Sequence, residues 1–322
     1  MGADRSDART REREDSISRG CVCSTPVDHH GRAPYCRRMR VGTVSQLWRY
    51  PVKSMAGERL ETAAMTWRGI PGDRGWAVYD ETRNGITGAK RLPQLRACRV
   101  RYSSEPVAGE GSPPAVLTLP NGTSVSTESD DAARGLSTLV GRAVTLRALG
   151  PAGSESAPRL TLEGESPEAA RALMGLLPDE PEADMSEFSP ERIRLLRQGN
   201  FFDAFPIHLL TRTTLNTLAR LAPETIWDEL RFRPNILMEA DDAEGYPELG
   251  WIKRRLRVSG AVIEVVTGCP RCVVTTQAVD DVPQDHRVMR TLVRETRHLA
   301  GIYARVVEEG TVRAGDPVDL VE

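Results

Sequence analysis

This chain has almost no net charge with which to meet a polyanion. Its 43 basic and 45 acidic side chains leave −2 over 322 residues. A general nucleic-acid binder would be basic, so that class is set aside. Long apolar runs are missing as well. The longest, Ala261 to Val266, is interrupted by Glu264 and falls far short of the ~20 residues of a membrane span. There is no disulfide framework. Cys21, Cys23 and Cys36 crowd the first 36 residues, and only Cys98, Cys269 and Cys272 remain. Reduced thiols in a cytoplasm fit that distribution better than a secreted fold. No apolar h-region precedes a cleavage site. Asp4, Asp7, Glu12, Glu14 and Asp15 argue against a transit peptide. No internal repeat is present.

What is there divides along the chain. Residues 1–40 are rich in Arg, Asp, Ser and Gly and poor in large apolar side chains. They are expected to form a disordered tail, because they cannot bury enough surface to offset the entropy of ordering. Met39 stands just before the first patterned segment and is the expected natural start. A zinc site from Cys21, Cys23, His29, His30 and Cys36 matches no standard spacing.

Residues 41–148 read as a β-rich first domain. Val44, Gln46 and Trp48 alternate along one strand face. Asn121-Gly122 joins two short strands as a hairpin, and Ala133, Leu136 and Val140 share a helix face ended by Gly141. Residues 149–189 read as a linker with a short helix near 167–176. In residues 190–322, Thr211 N-caps a helix carrying Leu215, Leu218 and Ala222. Arg231 to Met238 and Leu256 to Val266 read as strands, and Val288, Leu292 and Thr296 mark another helix. The expected class is mainly β with peripheral helices (α+β): a β-barrel-like N-terminal domain and a second β-barrel domain. Trp48, Trp67, Trp76 and Trp251 read as core. His208 reads as a satisfied core histidine, and the run Lys253 to Arg257 as a solvated strand face.

The most informative stretch is Gly268-Cys269-Pro270-Arg271-Cys272-Val273-Val274-Thr275-Thr276-Gln277. β-branched residues follow Cys272, so a strand is expected there, not the helix N-terminus of a thioredoxin-type centre. A structural zinc site needs four ligands and an all-cysteine iron–sulfur cluster four thiolates; the ordered part has three cysteines. Two inert buried cysteines are one remaining reading. The other is one thiolate on a metal whose remaining ligands belong to a cofactor. Cationic and hydroxyl residues able to hold such a cofactor occur in Pro51-Val52-Lys53-Ser54, Gly72-Asp73-Arg74, Lys90-Arg91 and Arg231-Phe232-Arg233-Pro234-Asn235. Arg231 and Arg233 are expected on one strand face.

Together with Thr275-Thr276 and the closing Gly315-Asp316-Pro317-Val318, these segments resemble the MOSC domain (molybdenum cofactor sulfurase C-terminal domain) preceded by its β-barrel N-terminal partner. Within that family the likeness is to the amidoxime-reducing branch, with its mitochondrial and bacterial members. It covers residues 41–322 nearly end to end. The resemblance implies a molybdenum cofactor (Mo-molybdopterin) lying between the two domains. It implies Cys272 as catalytic thiolate ligand to the metal, with Lys53, Ser54, Arg74, Arg233, Asn235, Arg271 and Tyr303 as cofactor-binding residues. It further implies reduction of an N-hydroxylated or related N-oxygenated small molecule, with electrons from a separate donor protein. The alternative is a non-catalytic carrier of sulfur, as a persulfide on Cys272, or of the cofactor. A plain scaffold is a third class. Departures from the family pattern are Gln277-Ala278-Val279-Asp280 in place of Asp-Pro, Lys90 in place of arginine, and Ala204-Phe205 where relatives carry small hydroxyl residues.

Overall fold

The computed structural model describes residues 38–151, 157–189 and 200–321. The expectations for the tail and for a zinc group at Cys21, Cys23, His29, His30 and Cys36 lie outside the described residues. The first strand, β1 (Arg38–Arg49), begins earlier than the expected boundary at 41.

The larger core is a closed barrel of seven strands. Six of them come from the second half of the chain: β10 (Ile207–Thr211), β11 (Ile236–Ala240), β12 (Arg255–Val258), β13 (Ala261–Pro270), β14 (Leu299–Glu308) and β16 (Pro317–Val321). The seventh is β1. It pairs antiparallel with both β11 and β16, and that double pairing closes the ring. Closure removes the exposed edges an open sheet would leave. Val44, Leu47, Leu209, Ile236, Leu256, Ile263, Ile302 and Val318 fill the interior. The expected alternation of Val44, Gln46 and Trp48 fails at a register shift between Val44 and Gln46. That bulge turns Leu47 inward and leaves Trp48 half-buried.

The chain leaves the barrel after a short partner strand, β2 (Glu58–Leu60), and β3 (Thr62–Met65), which pairs with β15 (Gly310–Arg313). It then builds a smaller unit from two three-stranded sheets. β4 (Trp76–Asp80) lies between β5 (Gly85–Ile86) and β9 (Val144–Ala148). β7 (Ala115–Thr118) lies between β6 (Arg99–Tyr102) and β8 (Ser124–Ser126). Helix α1 (Asp130–Val140) closes this core with Ala132, Leu136 and Val140. Ser129 is its N-cap, and Gly141 ends it in the left-handed region at φ 71°. Trp67 is a correction: it is 65 % exposed. The β3 alternation would have carried it inward, but Thr66 and Gly69 close a tight turn. Its ring then lies outside against Arg68.

Between the two cores, the described part of residues 149–189 packs on both. Leu160 N donates to Ile86 O at 2.9 Å. Helix α2 (Pro167–Met174) ends at Gly175 (φ 75°), where an added Cβ would lie 3.1 Å from the Val273 backbone. Helix α3 (Arg212–Leu221) starts at Thr211, whose side chain accepts from Thr214 N, and buries Leu215 and Leu218. Helix α5 (Arg287–Thr296) buries Val288 and Leu292 against the same face of the barrel. Among the described residues no helix is long and apolar enough to cross a membrane.

Two local expectations near the motifs are overturned. Arg231 does not begin a strand. Glu229–Phe232 is one helical turn, α4, capped by Asp228, and β11 starts only at Ile236. The tripeptide Arg-Pro-Asn intervenes, so Arg231 and Arg233 do not share a strand face. Val273–Thr276 is a single 3-10 turn, not a strand, because Thr275 and Thr276 bond back to Cys272 O and Val273 O.

Candidate cofactor site

Three of the residues expected to hold a cofactor adopt left-handed backbone conformations: Ser54 (φ 75°), Arg74 (φ 49°) and Arg233 (φ 58°). A non-glycine residue in that region costs roughly 1–2 kcal/mol. Such strain persists where surrounding structure enforces it, and it clusters at functional sites. Each turn is pinned locally. Met55 N donates to Val52 O at 3.2 Å across the Lys53-Ser54 turn, Arg74 N to Tyr50 O at 2.7 Å, and Arg233 N to Glu229 O at 2.9 Å.

Two of these turns, those of Arg74 and Arg233, converge on the Tyr50 ring. The Arg233 guanidinium lies 4.2 Å and that of Arg74 4.5 Å from its centroid. The Tyr50 hydroxyl donates to Pro234 O at 3.1 Å. Burial raises the Tyr50 pKa, with Arg233 and Arg74 opposing, so the phenol stays neutral. For Arg74, burial works against the charge, but Asp73 beside it outweighs that and the net shift is upward. Arg233 is only 8 % exposed, and Asp73 favours its charge only weakly. Burial first, then repulsion from Arg74 and Arg96, pushes its pKa well below the usual arginine value. Its Nη1 donates to Met55 O, and Arg74 Nη2 donates to Arg233 O at 3.3 Å.

Asn235 lies one layer behind. Its Nδ2 donates to Asp73 Oδ2 at 3.0 Å and its Oδ1 accepts from His208 N at 3.2 Å. Asp73 also accepts from Tyr50 N at 2.8 Å and from Arg74. Asn235 therefore orients the Asp73–Arg74 pair and does not itself face the cluster. Lys53 reaches Asp203 and Phe201 O, and Ser54 Oγ accepts from Ala89 N at 2.9 Å. Gly88 is needed beside them: a Cβ there would stand 2.5 Å from Ser54 Oγ. Ala89 O in turn accepts from Gln277 Nε2 at 2.6 Å, tying this turn to the end of the cysteine motif. Lys90 turns away, toward Met174 Sδ at 3.4 Å.

Cys272 is half-buried at the end of β13, and Cys269 is fully buried. Arg271 makes its direct thiol contact with Cys269. Arg271 Nη1 lies 2.7 Å from Cys269 Sγ, and its Nη2 donates to Phe232 O at 2.7 Å. Burial lowers the Arg271 pKa, but Cys269, Tyr303 and Cys272 around it reverse the net shift upward. Tyr303 and Cys269 hydrogen-bond, and burial holds the Tyr303 hydroxyl well above its ordinary pKa. His208 Nε2 lies 3.3 Å from Ala300 O and 3.4 Å from Arg271 Nη1. Burial, then that guanidinium, keeps it neutral. Among the described residues no group of three or more His, Cys, Asp or Glu is placed to hold a metal.

Comparison with known proteins bears on this arrangement. The family model described as MOSC domain matches residues 197–319, and that described as MOSC N-terminal beta barrel domain matches residues 41–142. This chain is a MOSC-domain protein. Human mitochondrial amidoxime reducing component 2 is 27 % identical over 303 residues, 88 % of this chain and 84 % of that protein. Human mitochondrial amidoxime-reducing component 1 is 25 % identical over 311 residues, again 88 % and 84 %. The Xenopus laevis component 1 is 25 % identical over 299 residues, 87 % and 82 %.

Two residues of this MOSC protein's site escaped the sequence reading. Tyr50 directly precedes Pro51-Val52-Lys53-Ser54, and nothing in a single tyrosine announces two stacked guanidiniums. Arg96 sits among Leu92, Leu95 and Cys98, a charged residue in an otherwise apolar group, and it is 1 % exposed. Cavities and charge point to different places in the molecule. A cavity of about 320 Å³ is bordered by Tyr79, Arg147, Leu149 and Phe201, with neither Cys272 nor Arg74, Arg96, Arg233 or Arg271 in its wall. The charged cluster is the better candidate. A buried cation without a paired anion costs several kcal/mol, and an anionic occupant would offset that cost.

Proposed function

We propose that this protein binds the molybdenum cofactor in the cationic cluster around Tyr50 and reduces N-hydroxylated or related N-oxygenated small molecules, with the Cys272 thiolate as the protein's ligand to the metal. The observation that carries the reading is the surplus of buried guanidiniums. Arg74, Arg96, Arg233 and Arg271 gather beside Lys53, while the only fully buried carboxylate among their partners is Asp73. A pterin phosphate is a group of matching charge, and Arg and Lys are charge-assisted donors to phosphate oxygens. The residues present fit that group. Arg96 Nε and Nη1 and Arg271 Nε are buried without acceptors. The family membership and the names of the relatives support the same reading.

Bound there, the cofactor supplies a two-electron redox centre. Reducing an N-hydroxyl group takes two electrons and two protons, cleaves the N–O bond and releases one water. The protein's own part is binding and orientation. Arg233, Arg74 and Lys53 hold the anionic end, and the strained turns keep their donors in place. Cys272 presents a half-buried sulfur at the end of a long strand, and Arg271 fixes that strand end through Cys269 and Phe232 O. Tyr303 keeps its proton and offers a hydroxyl donor at the same edge. Electrons come from a separate donor protein. A persulfide carrier would need the sulfur of Cys272 but not the collected guanidiniums, which is why we favour the reductase.

The test is direct. Full-length protein made in a host that synthesises the cofactor should carry molybdenum and oxidise reduced viologen when given an amidoxime. Metal-free protein with a cyanide-releasable sulfur on Cys272 and no turnover would favour the carrier instead.

A further inference from the structure

Arg96 is the least explained charge in the molecule. It lies on the 3-10 turn Pro93–Ala97 and is 1 % exposed. One nitrogen, Nη2, donates to Leu230 O at 2.8 Å. Nε and Nη1 are buried and have no acceptor. Tyr50 and Asp280 favour its charge, Arg271 and Arg231 oppose it, and Arg233 feels its repulsion as well. Asp280 favours the Arg96 charge, but that carboxylate makes its ion pair with Arg99, at 2.8 Å. Burial, chiefly, pushes the Arg96 pKa down to about 10. It therefore remains a cation at neutral pH, packed among other cations. Arg91, Arg171 and Arg257 each leave only Nε unmet, whereas Arg96 leaves two nitrogens unmet, and buried polar groups are as a rule hydrogen-bonded.

We propose that Arg96 is a further ligand-holding residue of this site, donating from Nε and Nη1 to an anionic phosphate group of the bound molecule. The assignment rests on the cofactor reading above. It extends the anion-binding set to the floor of the first domain, beyond the residues that the family motifs mark. A phosphate monoester has the chemistry required, since it carries up to two negative charges and several acceptor oxygens and can serve Arg96 and Arg233 together. A flat aromatic or a single carbonyl would leave most of that charge unmet.

The experiment compares the metal-free full chain with its Arg96→Met and Arg96→Lys variants. Inorganic phosphate is the probe, followed by thermal unfolding and calorimetric titration; molybdenum per chain is measured on protein from a cofactor-producing host. Arg96→Met removes an unmatched buried cation at similar volume, so without phosphate it should melt at or above the wild-type temperature. Its phosphate affinity should fall at least tenfold and its molybdenum content severalfold. Arg96→Lys keeps the charge without the planar donors, and its phosphate affinity should lie between the two. Wild-type phosphate affinity in both variants would overturn the assignment, as would a failure of phosphate to stabilise the wild type. A lower melting temperature of Arg96→Met with phosphate affinity unchanged in Arg96→Lys would instead make Arg96 a structural tie. Should the wild type take up no molybdenum yet bind phosphate through Arg96, the cofactor reading fails while this one stands.

Discussion

Among the described residues Asp73 is the fully buried carboxylate paired within the cluster, and its removal is the sharpest test of the electrostatics. Its side chain is fully buried and accepts from Tyr50 N at 2.8 Å, from Asn235 Nδ2 at 3.0 Å and from Arg74 Nη1. Asp73→Ala leaves the Arg74 guanidinium beside Arg233 at the Tyr50 ring without its buried counter-charge. Breaking a buried ion pair from one side costs about 3–5 kcal/mol. The two orphaned N–H donors contribute to that loss and are not added separately. Urea unfolding of the metal-free protein should therefore show a loss of about 3 kcal/mol or more. The double variant Asp73→Ala with Arg74→Met removes the stranded charge too, and it should recover a substantial part of that loss. A single-variant loss below about 1 kcal/mol would refute the reasoning, since that is the range of an exposed pair. So would a double variant no more stable than the single.

Ser54→Gly relieves a left-handed serine, worth roughly 1–2 kcal/mol, against an entropic cost of about 0.5–1 kcal/mol. The variant should unfold within about 1 kcal/mol of wild type yet retain less molybdenum; full molybdenum content would count against a role for Ser54 in the site. Burial raises the Cys98 thiol from an ordinary 9.0 to about 12. The stability from keeping that thiol neutral is whole below the unfolded value and is lost as pH rises through about 9 toward about 12. Near pH 10 the loss is about 1.4 kcal/mol. A Cys98→Ala variant should lack that alkaline slope in urea titrations, and equal slopes would contradict it. In native protein, peptide mapping after brief alkylation should find Cys272 modified before Cys98 and Cys269, which are fully buried; the reverse order would show the thiols misplaced.

Local chemistry was legible in the residues. Thr211 and Gly141 marked their helix ends because capping acts within a few residues. The Lys253–Arg257 run reads as a solvated strand face, and β12 alternates Leu256 and Val258 inward with Arg255 and Arg257 outward. Long-range partnership was not legible. β1 reads as a member of the first domain, but its partners β11 and β16 lie some two hundred or more residues away and place it in the large barrel. The helical turn at Glu229–Phe232 depends on Asp228 as cap and on the Arg231 side chain reaching Ile226 O and Pro283 O, contacts that period-2 reasoning does not see. The motifs located Lys53, Ser54, Arg74 and Arg233. That Arg74 and Arg233 meet on Tyr50 is a consequence of tertiary packing alone.

The central claim is that the Cys272 sulfur binds molybdenum. X-ray absorption at the molybdenum edge of full-length protein, wild type beside Cys272→Ser, counts the metal's sulfur neighbours. The account predicts one fewer Mo–S neighbour in the variant, with the fold unchanged and reductase activity lower by orders of magnitude. An identical sulfur count in the two proteins would contradict it.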